Sequence, residues 1–96
     1  MDSLSNGQIR VFKAQAQRLK ATLKIGKEGL NPQFLAALDE LLNHHDLVKV
    51  KFDEFKERKK ELAAQLAERS RSYLVTRVGN VVVLYRPKPV EVKPAR

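Results

Sequence analysis

Residues 21–32 read "ATLKIGKEGLNP", and the way this stretch divides decides the fold. Ala21, Leu23 and Ile25 alternate with Thr22 and Lys24, the period-two pattern of a strand with one face in a core. Gly26 and Gly29 follow three positions apart, then Asn31 and Pro32. Asn31 is a good helix N-cap, and Pro32 suits the first helical position, where its missing N–H is not needed. The stretch is therefore a strand, a tight turn and a helix start. Its Gly-x-x-Gly admits two readings: a connection that needs glycine for its geometry, or bare backbone that lets a ligand come close.

On the downstream side, Phe34, Leu35, Leu38, Leu41 and Leu42 make an apolar face and predict a helix from Pro32 to about Asn43. Upstream, Ser5 and Gln8 have the spacing of a capping box, and Ile9, Phe12, Ala16 and Leu19 form a stripe. A first helix is predicted from Ser5 to Leu19. "LVKVKF" at 47–52 predicts a second strand, with Val48, Val50 and Phe52 on one face and Lys49 and Lys51 on the other. Asp53 is placed to cap a third helix running from Glu54 to about Ser70, with Phe55, Leu62, Ala63, Leu66 and Ala67 turned inward. "YLVTRV" and "VVVLYR" flank Gly79-Asn80 and predict a hairpin, whose leading glycine suits a type II′ turn. The prolines of "PKPVEVKPAR" predict an extended basic tail. The order is α-β-α-β-α-β-β. It predicts one layered α/β (α+β) domain over residues 1–87 and a tail over 88–96, without internal repeats.

The 96 residues suffice for one modest core, and 43% hydrophobic with 31% charged residues is a globular composition. The chain has no cysteine, which removes disulfides, thiolate metal sites and thiol catalysis together. The N-terminus reads neither as a signal peptide nor as a membrane span, so a soluble cytoplasmic protein is expected, without membrane attachment. The formal net charge of +8 favours a polyanionic partner, nucleic acid ahead of an anionic membrane. That excess is spread along the chain, so folding must assemble any positive face.

Catalysis finds little support. Gly26 to Gly29 lacks the spacing of a P-loop and the third glycine of a dinucleotide fingerprint. His44 and His45 are sequence neighbours, point apart on a helix, and suit C-terminal dipole and capping roles. The acidic residues all fit helix surfaces or caps. The protein is expected not to be an enzyme and to need no cofactor or metal.

Three features favour a phosphate site at the glycine turn. It leads into a helix N-terminus, where free N–H groups attract anions. Lys24 and Lys27 lie beside it, and Lys20, Lys49 and Lys51 join them if the first two strands pair. Backbone clamping by a Gly-x-x-Gly loop is also an established way to hold nucleic acid. Glu28 counts against the site, since it partly cancels Lys27. Phe12, Phe34, Phe52 and Phe55 fall on apolar stripes and read as core; Tyr85 reads as structural, and Arg86 as a phosphate contact.

Together, "IGKEGL" at 25–30, "HHDLVKVKF" at 44–52 and "VGNVVVLYRP" at 78–87 resemble the YhbY-type CRM domain. The resemblance runs from about Leu4 to Pro87. It implies an RNA-binding domain with a mixed four-stranded sheet, whose stand-alone bacterial members are associated with large-subunit ribosome precursors. It implies a Gly-x-x-Gly loop at Gly26, Lys27, Glu28 and Gly29, a basic strand at Lys49 and Lys51, and a Leu84-Tyr85-Arg86-Pro87 ending. Ala21 stands where relatives commonly have proline, and Ser70-Arg71-Ser72 where many have a Thr-Gly turn. The leading expectation is a monomeric accessory factor that binds rRNA of the large-subunit precursor through Gly26, Lys27, Glu28, Gly29, Lys24, Lys20, Lys49, Lys51 and Arg86. The alternative is a basic adaptor docking an acidic ribosomal or assembly partner.

Overall fold

A computed structural model describes residues 4–87; the expected tail at 88–96 lies outside them. The elements are α1 (Asn6–Ala16), β1 (Leu23–Ile25), α2 (Pro32–His44), β2 (Leu47–Phe52), a 3-10 turn (Lys56–Arg58), α3 (Lys59–Arg69), β3 (Tyr73–Val78) and β4 (Val81–Tyr85). The strands form one sheet in the order β1-β2-β4-β3. β1 and β2 are parallel, with Lys24 opposite Lys51 and Ile25 opposite Phe52. β4 runs antiparallel to both β2 and β3. A parallel pair needs a crossover, and α2 supplies it.

One face of the sheet is covered by α2 and α3, and part of the other by α1. Ile25, Val48, Val50, Phe52, Val82 and Leu84 pack with Leu38 and Leu42 of α2 and with Leu62, Ala63 and Leu66 of α3. On the reverse face, Ala16 of α1 meets Val75 and Val83, flanked by Ile9, Phe12, Leu47 and Tyr85. The Phe12 and Tyr85 rings stack 4.2 Å apart, which gives both aromatics the structural role expected of them. Because helices lie on both sides of this part of β4, Val82, Val83 and Leu84 are all buried instead of alternating.

The sequence signals at the helix starts of α1 and α2 are realised. Ser5 and Gln8 form a complete capping box, and Asn31 Oδ1 accepts from the Phe34 N–H at 2.7 Å. Other boundaries differ. α1 stops at Ala16 instead of Leu19: Arg18 and Leu19 donate to Gln15 and Ala16 in tighter i→i+3 bonds, and Lys49 Nζ donates to the Ala16 and Leu19 carbonyls at 3.1 Å each. Asp53 does not cap a helix. The N–H groups of Asp53 and Glu54 both donate to the Ile25 carbonyl, at 3.0 and 3.1 Å. The β1–β2 ladder thus continues past Phe52 and delays the helix to Lys59. Phe55 turns the chain with a φ of 59°, a strained conformation for a bulky residue.

The end of α3 explains the Ser70-Arg71-Ser72 sequence. The Ser72 N–H donates to Ala67 O and the Arg71 N–H to Glu68 O, the two bonds of a Schellman cap. Arg71 occupies the left-handed position with a φ of 57°, where glycine would be unstrained. Ser70 and Ser72 are buried, and their hydroxyls bond to one another at 2.6 Å. In the hairpin, Gly79 has a φ of 57°, as the first position of a type II′ turn requires.

Candidate nucleic-acid interface

The turn Gly26–Gly29 lies at the C-terminal ends of β1 and β2. Its closing bond is the Gly29 N–H donating to Gly26 O at 3.0 Å, the i→i+3 bond of a β-turn. The two glycines serve different needs. Gly29 has a φ of +67°, and a Cβ there would stand 3.5 Å from the Phe55 ring. The fold therefore accounts for Gly29 through its left-handed backbone, while the Phe55 ring is at ordinary contact distance. A Cβ on Gly26 would meet nothing within 4 Å, and its φ is not positive. Neither packing nor backbone geometry asks for glycine at position 26, so what remains is the space outside it. An open hollow of about 520 Å³ lies there, bordered by Lys24, Lys27 and the first turn of α2.

Glu28 is held in place. Its Oε1 accepts from Asn31 Nδ2 at 2.6 Å, while Asn31 Oδ1 caps Phe34. The Glu28 carboxylate thus turns back onto the start of α2. This weakens one sequence argument: Pro32 has no N–H, that of Phe34 is taken, and a carboxylate sits alongside. Little of the α2 N-terminus remains to attract phosphate, and the charge at the turn must come from lysines.

The parallel register supplies them. Ile25 and Phe52 are buried in the α2–α3 core, so Lys24 and Lys51, paired side by side, lie on the opposite face and are exposed. Lys27 and Lys20 are exposed as well. Lys49 shares that face, but its ammonium group donates to the Ala16 and Leu19 carbonyls at the end of α1, and the residue is half-buried. It contributes charge while serving as a cap.

Arg86 is not brought to this cluster. It follows β4, whose Tyr85 pairs with Leu47, and its N–H donates to Asp46 O, so it lies at the end of the sheet away from the turn. The intervening length of β2 is about 17 Å at the usual strand rise. Its guanidinium donates to Asp39 Oδ1 (2.7 Å), Asp39 O (3.0 Å), Asn43 Oδ1 (2.8 Å) and Ser70 O (2.9 Å). Its side chain is 15% exposed. Arg86 fastens the end of β4 to α2 and to the α3 cap. Phe55, read from its apolar stripe as core, packs against the core and also lies beside Gly29, 26 residues earlier in the chain, a neighbour that sequence reasoning did not supply.

The comparisons with known proteins agree with this architecture. The model of the CRS1/YhbY (CRM) domain family matches residues 4–86. The chain belongs to that family. An RNA-binding protein of Haemophilus influenzae is 33% identical over 91% of this chain and 89% of its own length. A probable RNA-binding protein of Pseudomonas aeruginosa is 34% identical, covering 91% and 85% of the two chains. The solution structure of a hypothetical Staphylococcus aureus protein superposes with a TM-score of 0.78 at 32% identity, covering 92% of this chain and 93% of the other. The CRM fold, with three helices and a mixed four-stranded sheet, is thus shared, and these relatives are named for RNA binding and not for catalysis.

Proposed function

We propose that this CRM domain binds RNA by admitting the phosphate backbone to the bare main chain at Gly26. Lys24, Lys27 and Lys51 lie beside that point, with Lys49 adding charge from beneath α1, while Lys20 is exposed before the start of β1, at the end of the strand away from the turn. The observation that carries the reading is the difference between the glycines: the fold explains Gly29 and leaves Gly26 unexplained. Relatives named as RNA-binding proteins support the class of partner. The finer reading is a cytoplasmic, monomeric, cofactor-free accessory factor that holds rRNA of the large-subunit precursor.

Gly26→Leu is the direct test. It places a side chain in open space at an unstrained position, so the melting temperature should hold while affinity for a large-subunit rRNA transcript falls. With about four phosphates engaged, log affinity against log salt should slope near −3 by the single-strand coefficient. Unchanged affinity in Gly26→Leu would return the turn to a purely architectural role.

A further inference from the structure

α1 covers only part of its face of the sheet. Its contacts centre on Val75, Val83, Leu47 and Tyr85, the half away from the glycine turn. The other half carries the cross-strand row Lys24, Lys51, Val81 and Val78. Val78 is 65% exposed, the most exposed large hydrophobic residue among those described. Next to this row a groove of about 270 Å³ opens between the end of α1 and the β3–β4 hairpin. Valines 78, 81 and 83 line it, Lys13 and Lys49 stand at its rim, and no acidic side chain borders it.

We propose that this uncovered half of the sheet is a second RNA subsite, where a single-stranded segment continuing from the glycine turn lays a base against Val78 and Val81. The inference rests on the reading that the turn binds RNA. Charge complementarity selects the occupant. A strand leaving Gly26 meets Lys24 and Lys51 first, then an apolar floor with lysines at its edge. Lys49 uses two of its three ammonium protons on the Ala16 and Leu19 carbonyls, so one is left to donate toward the groove. Apolar floor and cationic rim match a chain whose bases are apolar on their faces and whose backbone is anionic. A duplex keeps its bases stacked inside and cannot use the floor.

The test uses the full chain and two fluorescein-labelled probes, a single-stranded oligouridine and an RNA duplex of equal length. Val78→Glu, at an exposed position, should leave the melting temperature unchanged. It should weaken single-strand binding roughly five- to tenfold, the scale of losing one apolar contact beside an added like charge. Duplex binding should change less. Photocrosslinking with thiouridine should mark the β3–β4 hairpin as well as the turn. If Val78→Glu binds the single strand like wild type while Gly26→Leu does not, the subsite fails and the turn reading stands. If neither substitution matters, both fail. Equal losses for single strand and duplex would overturn the base contact. So would weakened binding to precursor ribosomal particles with naked RNA binding intact, which would assign the face to a protein partner.

Discussion

Arg86 offers the sharpest trial of the structural reasoning, because sequence and structure give it opposite roles. Replace it with lysine, which keeps the positive charge, and with alanine, which does not. A lysine ammonium cannot reproduce the fork that reaches Asp39, Asn43 and the Ser70 carbonyl together. Hydrogen bonds from a charged donor contribute about 1.5–3 kcal/mol each, but they are not additive within one group. Asp39 is 60% exposed, so its ion pair with Arg86 is screened and adds little. The main loss is the fastening of two helices to the strand, about 2–4 kcal/mol for alanine and somewhat less for lysine. For a domain of this size that corresponds to a fall in melting temperature of roughly 10–25 °C, readable by circular dichroism. Where Arg86→Lys still folds, its RNA affinity and salt slope should match wild type. An Arg86→Lys protein that melts normally yet loses RNA affinity would refute the assignment and restore Arg86 as a phosphate contact.

Two further substitutions probe the backbone. Arg71→Gly should stabilise the domain by about 0.5–1 kcal/mol, since relief of left-handed strain outweighs the added unfolded-state entropy; a lower melting temperature would contradict the Schellman geometry. Gly29→Ala should destabilise by about 1 kcal/mol through the positive φ, since a Cβ would meet Phe55 only at ordinary contact distance. It should therefore shift both melting and RNA binding, whereas Gly26→Leu shifts binding alone, and identical behaviour of the two would erase the distinction between the glycines.

What could be read from the chain depended on how local the cause was. The Ser5–Gln8 capping box, the Asn31-Pro32 helix start, the alternation of β2 and the Gly79-Asn80 turn each arise from residues within a few positions of one another. Element order followed from them, because short-range periodicity and capping carry that information, whereas the family was read from the resemblance of three separated motifs. The same local logic failed at Asp53, a residue that looks like a cap. Its N–H instead completes a ladder with Ile25, and no feature within a few residues of Asp53 announces that bond. The end of α1 was misplaced for a similar reason: Lys49 reaches its carbonyls from a strand 30 residues away.

The candidate site divides along the same line. By itself, the sequence determined that a glycine turn with flanking lysines joins a strand to a helix, and that the chain carries an excess of positive charge. Only the tertiary structure decided which residues share a surface. Parallel pairing set Lys24 beside Lys51, the antiparallel return of β4 carried Arg86 to the other end of the sheet, and α1 drew Lys49 into a capping role. The glycines, indistinguishable in sequence, separated once the turn put Gly29 at a φ of +67° and left Gly26 without a positive φ. Local chemistry specifies what each residue can do, but strand register and helix docking choose its neighbours, and a binding surface is made of neighbours.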